Sequence, residues 1–427
     1  MGTLQDRIAD RSARIAILGQ GYVGLPLAVA FAESGFQVVG LDVNADRVND
    51  LAKGVSDVED IPNSRLQPLV ESGSYRASTD FGELTHSDAT IICVPTPLSK
   101  TRDPDISYIV NSCDQIAPRL KPDSLIVLES TTYPGTTQEV ILPRLCHRGG
   151  EVGQDFYLAF SPERIDPGNK TYQLENTPKV IGGVTDKCRD LACQLYATVV
   201  DQTVPVGSTT SAEMVKLLEN TYRAVNIGLV NEIALICDRL NLDVWEIIDA
   251  AATKPFGYQP FYPGPGLGGH CIPVDPHYLS WKLRVLNYNA RFIQVASEVN
   301  SQMPEHWAAK VADCLNEQCR SVKAAKVLVL GMAYKRDVSD IRESPALEIF
   351  ELLHRKGADI SFCDPHVESI RFAGEVFESR PYSEEVLAEA HCIVIATDHS
   401  EFIPAELVVF ADKIVDTRNL LAKAPSA

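Results

Sequence analysis

No apolar run in this chain approaches the roughly 20 residues that a bilayer-crossing helix needs, so no membrane span is expected. Its opening residues, Met-Gly-Thr-Leu-Gln-Asp-Arg, hold no apolar signal core. Asp6 stands where a myristoylation motif wants Ser or Thr, and a cytoplasmic location is expected. Positive charge is scarce: 39 Lys and Arg face 57 Asp and Glu, a formal net charge of −18. That balance argues against a nucleic acid or an anionic membrane surface as partner. It leaves room for an anionic small molecule, because a local cation cluster dominates within about 8 Å in physiological salt. No Cys-x-x-Cys pair occurs among the eleven cysteines. Cys188/Cys193 and Cys314/Cys319 stand five apart, a spacing that does not bring two thiols face to face on a helix. Cys93, Cys237, Cys363 and Cys392 sit in apolar runs, as small core residues do. Reduced thiols are therefore expected, with no disulfide framework and no metal site.

At 427 residues the chain is too long for one core and predicts two or three domains. Its 45% hydrophobic and 22% charged content is ordinary for a globular protein. Residues 14–18 read as a buried strand, 19–24 as a glycine turn, 25–34 as a helix and 36–42 as a second strand. Further strands are expected at 89–94, 124–128 and 157–160, with helical patterns between them. This alternation predicts a parallel, doubly wound α/β sheet. From Ser211 to about Leu240 the apolar spacing becomes that of a long helix, followed by helices over 244–252 and 289–319. At Lys326 the α/β rhythm restarts, with strands at 327–330, 359–363 and 392–396 and a helix over 345–355. The domains are placed at 1–208, 209–322 and 323–427, the middle one a helical connector and dimer core. The last has one glycine, Gly331, where the first has three, so a second dinucleotide site is not expected there but a nucleotide-like ligand is.

Gly19-x-Gly21-x-x-Gly24 follows a strand and opens a helix, the context that makes this pattern informative. The glycines allow a tight turn and close approach of a pyrophosphate to the helix N-terminus, whose free N–H groups and dipole favour negative charge. Asp42, ending the next strand, suits the adenosine ribose and favours NAD; Arg47, five residues on, keeps a 2′-phosphate in view. Lys216 and Asn220 are four apart and share a helix face, where an ammonium and an amide can stabilise an oxyanion. A solvated lysine beside an unrelated asparagine is the plainer alternative. Gly264-Pro-Gly-Leu-Gly-Gly-His-Cys271 packs four glycines into six residues before a thiol. Cys271 is the candidate nucleophile if a cation such as Lys216 lowers its pKa, and a buried inert cysteine otherwise. Asp275 follows four residues later. Ser130 and Thr131 follow a strand end that borders the nicotinamide in such sheets. Glu163, after the next strand, could activate a water or could be a turn residue. Lys335 and Arg342 follow the first strand of the third section, as phosphate or sugar contacts or as solvated charge.

These residues together resemble the nucleotide-sugar 6-dehydrogenases, the UDP-glucose/UDP-N-acetylhexosamine/GDP-mannose dehydrogenase family. The likeness runs through Gly19-Gln-Gly-Tyr-Val-Gly-Leu-Pro26, Val94-Pro-Thr-Pro97, Ser130-Thr131, Ser161-Pro-Glu163 and Glu213-x-x-Lys216-x-x-x-Asn220. It continues through the Cys271 loop and Gly331-Met-Ala-Tyr-Lys335 to Asp340-Ile-Arg342-Glu-Ser, and so covers nearly the whole chain.

The resemblance implies an N-terminal Rossmann NAD-binding domain, a central helical dimerisation region and a C-terminal Rossmann-like UDP-sugar-binding domain. It implies NAD contacts from Gly19, Gln20, Gly21, Tyr22, Val23 and Gly24, from Asp42 and Arg47, and from Pro95, Thr96, Ser130, Thr131 and Arg342. Substrate contacts are implied for Glu163, Arg164, Lys216, Asn220 and Lys335, and for Phe261, Tyr262, Pro263, Gly264, Gly266 and Gly268. The implied chemistry is a four-electron oxidation of a sugar C6 alcohol to a carboxylate. Asp275 with Lys216 and a water assists loss of the hydroxyl proton. Cys271 carries a thiohemiacetal and then a thioester, which Glu163 hydrolyses with water positioned near Thr131. Lys216 and Asn220 stabilise the oxyanions. Upstream of the glycines, residues 254–263 replace the arginine-bearing segment of UDP-glucose enzymes. That departure, and Arg164, favour a UDP-N-acetylhexosamine, with UDP-N-acetylglucosamine the leading expectation, for a surface polysaccharide precursor. UDP-glucose or an epimeric UDP-N-acetylhexosamine is the alternative. A hydroxyacid-type dehydrogenase is more remote, because the thiol loop and the third domain argue against it, and so is a non-catalytic nucleotide-binding regulator, because Cys271, Lys216 and Asp275 are all present.

Overall fold

The computed structural model describes residues 2–58, 60–99, 103–146, 150–165, 169, 171–269 and 272–424. The chain divides into two compact units, Met1–Glu219 with His277–Tyr288, and Asn220–Pro276 with Asn289–Ala427.

The first unit is built on eight strands: β1 (Arg14–Leu18), β2 (Gln37–Leu41), β3 (Tyr75–Ser78), β4 (Ala89–Ile92), β5 (Ser124–Leu128), β6 (Phe156–Phe160), β7 (Lys179–Gly183) and β8 (Thr203–Val206). Their order is β3-β2-β1-β4-β5-β6-β7-β8. β4, β5 and β6 are buried at every position, because apolar layers cover both faces of the sheet. One layer holds Phe31, Phe36, Tyr75 and Tyr196, the other Ile92, Leu128, Phe156 and Phe160. The order reverses between β1 and β4, so the loops at their carboxyl ends open the crevice where such sheets bind ligands.

The expected all-parallel sheet needs correction at one place: β6 and β7 pair antiparallel, through Ala159↔Gly183 and Phe160↔Gly182. Neither β7, which begins with a lysine, nor β8, which contains Pro205, carries the apolar run that marks an inner strand.

In the second unit β9 (Lys326–Leu330), β10 (Asp359–Cys363), β13 (Cys392–Ile395) and β14 (Ile414–Asp416) form a parallel sheet in the order β10-β9-β13-β14. A hairpin of β11 (Ser369–Phe372) and β12 (Glu375–Glu378) lies apart from it in the pairing. The predicted long helix runs over Thr209–Leu240, 32 residues contributing to both units. Asp275 is the first residue of a helix that extends to Val285. The Arg291–Glu317 helix crosses the long helix where Gly228 meets Ala296: a Cβ on Gly228 would stand 3.0 Å from the Ala296 Cα. Beside this crossing the Asn231 amide donates to Asn300 Oδ1 at 2.8 Å, so the close approach is locked by a buried polar pair. No helix among the described residues is long and apolar enough to cross a membrane.

Candidate functional site

The Gly19 turn is built as the sequence predicts. Gly19 has φ +88°, open to glycine without strain, and a Cβ there would meet the Cys93 carbonyl at the end of β4. A Cβ on Gly24 would meet the Gly19 carbonyl, so the helix Gly24–Glu33 sits directly on the turn. Gly21 is different, with nothing within 4 Å of the place its Cβ would occupy. Two glycines are thus required by packing, and the third leaves open space beside a helix N-terminus, which fits a dinucleotide pyrophosphate.

Asp42 is 9% exposed and accepts from the Gln20 N–H at 2.8 Å and the Asn44 N–H at 2.9 Å. The Gln20 side chain is fully buried, donating to the Ile17 carbonyl and accepting from the Tyr75 hydroxyl. It braces the turn from beneath. Tyr22 is exposed on the turn, and Val23 is the N-cap of the following helix. Arg47 places two guanidinium nitrogens on Asp57, at 2.7 and 3.0 Å, and a third 3.9 Å from Asp42. Its hydrogen bond to Asp57 raises its pKa against partial burial. With two carboxylates already on Arg47, a 2′-phosphate meets repulsion. We expect kcat/KM for NAD to exceed that for NADP by about 100-fold, and Asp57→Ala to narrow the gap by about tenfold, in steady-state assays with both nucleotides.

Further along the same sheet, Ser130 donates to the Val94 carbonyl at 2.8 Å and joins the ends of β5 and β4. Thr131 next to it is half-buried, while Thr132 and Thr136 share a 2.6 Å hydrogen bond. Pro95 is exposed, and the Thr96 carbonyl accepts from Tyr278.

Glu163 is where the first unit concentrates charge. Its Oε1 accepts from the Arg164 and Ile165 N–H groups at 2.7 and 2.6 Å, and its Oε2 lies 3.3 Å from Lys179 Nζ. Lys216 donates to the Glu163 carbonyl oxygen at 2.6 Å. Burial pushes the Glu163 carboxyl up, but Lys179, the two N–H groups and Lys216 pull it below its ordinary value. Lys179 also holds Glu129 at 2.8 Å, and the Tyr196 hydroxyl donates to the other Glu129 oxygen. Burial pushes the Glu129 carboxyl up to about 7 even so. Sequence reading missed Glu129 and Lys179; a charged residue at the end of one strand and at the start of another was the available signal.

In the second unit Asn220, one helical turn after Lys216, donates its amide to Asp275 Oδ2 at 2.5 Å. Both are buried, so the amide orients the carboxylate at the start of its helix. Cys271 and His270 lie outside the described residues. The glycines before them are packed against protein. A Cβ on Gly268 would stand 2.7 Å from Tyr334 Cβ, and one on Gly266 3.2 Å from Pro345 Cβ. One on Gly264 would stand 2.8 Å from Arg418 Nη1. Gly269 donates its N–H to the Arg342 carbonyl at 3.1 Å. Gly266 and Gly268 therefore let the loop lie on residues 334–345, a reason for them that a ligand alone does not supply. Upstream, Phe261 packs edge-on to Tyr222, and Tyr262 stacks on Trp245 and donates to Asp249. Pro263 precedes the Gly264 N–H, which donates to Asn231.

Two expected contact cations are already paired. Arg164 makes two bonds to Glu219 and one to the Pro178 carbonyl, which brace the Glu163 loop. Arg342 holds Asp340 through two nitrogens. Lys335 is half-buried on the same loop. A group with metal-ligand chemistry also occurs in this unit: Asp337, His366, His399 and Glu401 place ligand atoms within 4.8 Å of one another. Both ring nitrogens of His399 are committed, to the Asp337 N–H and to Asp364, and Asp337 caps Ser400, so the group is built as a hydrogen-bonded cap.

Three family models match in sequence. Residues 13–200 match the NAD binding domain, 210–302 the central domain and 328–423 the UDP binding domain of the UDP-glucose/GDP-mannose dehydrogenase family. A UDP-N-acetyl-D-mannosamine dehydrogenase of Methanococcus maripaludis is 35% identical over 422 residues, covering 96% of this chain and 93% of that protein. One of the same name from Escherichia coli K12 is 36% identical over 405 residues, 91% of this chain and 94% of that one. Among solved structures, a UDP-D-ManNAc dehydrogenase from Pyrococcus horikoshii superposes with a TM-score of 0.88 at 36% identity, covering 97% of each chain.

Proposed function

This chain belongs to the UDP-glucose/GDP-mannose dehydrogenase family, an NAD-dependent UDP-sugar dehydrogenase by its three domains, and on that premise we propose that its substrate is UDP-N-acetyl-D-mannosamine. One observation carries the choice of sugar: relatives of that name are 35–36% identical over more than nine-tenths of the chain. UDP-N-acetylglucosamine gives way to its C2 epimer, within the alternative that the sequence left open.

NAD, held by the Gly19 turn and Asp42, would supply the hydride acceptor for each of two oxidations at C6. Asp275, oriented by Asn220, takes up the proton lost from the C6 hydroxyl through a water. The Cys271 thiolate adds to the aldehyde carbon; loss of hydride from that carbon leaves a thioester. Glu163 takes a proton from water, whose oxygen bonds to the thioester carbon as the C–S bond breaks and the thiolate leaves. Lys216 and Asn220, one turn apart on one helix, supply donors to the oxyanion at each stage. A dimer formed through the central helices is supported by their exposed apolar residues, Leu229, Leu240, Phe292 and Val295. A reduced Cys271 suits the cytosol, where we place the reaction.

The test is a panel of UDP-sugars with NAD. UDP-N-acetyl-D-mannosamine should give the highest kcat/KM, by about tenfold or more over its glucosamine epimer, with two NADH formed per uronate. One NADH per product would refute the thioester route; a preference for UDP-N-acetylglucosamine or UDP-glucose would refute the sugar.

A further inference from the structure

A lysine buried in a sheet core is costly, and removing the partner of a buried ion pair costs more than the pair itself contributes. Lys179 opens β7 at 3% exposure, and Glu129, at the end of β5, is 1% exposed. The ammonium lies between two carboxylates, 2.8 Å from Glu129 and 3.3 Å from Glu163, and 5.4 Å over the Tyr196 ring. Tyr196 closes the far side by donating to Glu129. An apolar residue at this depth would stabilise a sheet at least as well, so stability does not account for the charge.

The arrangement around Glu163 does account for it. Two of the donors to its carboxylate are backbone N–H groups, and Lys179 is the charged one. Without that charge, burial would push the carboxyl up toward the neutral acid, which has no free base to offer a water. With an isolated ammonium the carboxylate would be held ionised too firmly to take up a proton. Glu129 behind Lys179, its carboxyl pushed up to about 7, offsets part of the ammonium's field where it is ionised.

We propose that Lys179, backed by Glu129, is a positioning residue for the hydrolytic step, holding the Glu163 carboxylate ionised and aimed as the acceptor of the water proton. It acts on that step and on neither hydride transfer. Lys179 keeps its proton throughout. The proposal rests on the reading of Glu163 as the hydrolytic base.

The experiment separates the two. Glu163→Gln, Lys179→Met, Lys179→Arg and Glu129→Gln are followed by stopped-flow NADH formation, by intact mass after acid quench, and by the pH profile of kcat. In Lys179→Met the NADH burst should stay within about twofold of wild type while turnover at pH 6 falls about 10- to 100-fold and the acyl-enzyme accumulates. The acid limb of kcat should move to higher pH, because Glu163 loses the attraction that lowers its pKa. Lys179→Arg should restore most of the turnover. Glu129→Gln should leave the acid limb in place or move it down, since it removes a negative neighbour of Glu163. A folded Lys179→Met enzyme with a wild-type acid limb and no acyl-enzyme would overturn the proposal, as would loss of burst and turnover together. If Lys179→Met does not fold, an upward limb in Glu129→Gln or a failed Lys179→Arg rescue overturns it instead. Accumulation in Glu163→Gln but not in Lys179→Met defeats the positioning role alone; no accumulation in Glu163→Gln defeats the assignment of Glu163 as base.

Discussion

Cys271→Ser is expected to lower uronate formation at least about 1000-fold while leaving UDP-sugar and NAD binding within a few-fold of wild type. A thiolate adds to the nascent aldehyde before it escapes and later leaves as a good leaving group. A serine hydroxyl is a poor nucleophile near neutral pH, and an ester formed on it hydrolyses far more slowly than a thioester. The variant should therefore stall before acid release, which quenched-flow NADH counting against uronate measures directly. Full turnover with serine would show that no sulfur-bound intermediate lies on the route. The loss should not respond to added NAD, because the defect lies in the carbon–sulfur step and not in cofactor binding.

Lys216→Met has the second-largest expected effect, about 100- to 1000-fold in kcat. The ammonium is placed to serve twice. It donates to the Glu163 carbonyl, which anchors the Glu163 loop, and under the proposed mechanism it supports an oxyanion beside Asn220. The loss should appear mainly in kcat, because a developing alkoxide needs the charge more than the bound alcohol does. A change confined to KM would show that Lys216 binds substrate without stabilising the transition state. Asn220→Ala should cost less and should also loosen Asp275, so the two variants together are expected to be non-additive.

Much of this site is legible from residue order. The Gly19 turn lies between a strand and a helix of the expected lengths, and Lys216 and Asn220 share a face because they are four apart on a helix. Strands β5 and β10 and the helices Val244–Ala252 and Pro345–Arg355 match their expected bounds. These are short-range features, set by steric preference and by a hydrophobic period that any window of the chain displays.

Partners distant in sequence are not legible in this way. Glu129 and Lys179 are 50 residues apart and meet because strands β5, β6 and β7 are neighbours. The ion pair of Arg164 with Glu219, 55 residues away, is likewise invisible in residue order. The glycines before Cys271 read as room for a ligand, and only the fold shows that Gly266 and Gly268 also pack against Pro345 and Tyr334. The identity of the sugar rests on kinship, since no one residue here reads the configuration at C2.

The sequence by itself determined the dinucleotide turn, the thiol after its glycine loop and the helix that carries Lys216 and Asn220, because each is written within one turn or one strand of chain. Only the tertiary structure decided which charges are paired with each other. A buried charge must find a partner, and the sheet order, not the residue order, determines which partner is within 3 Å.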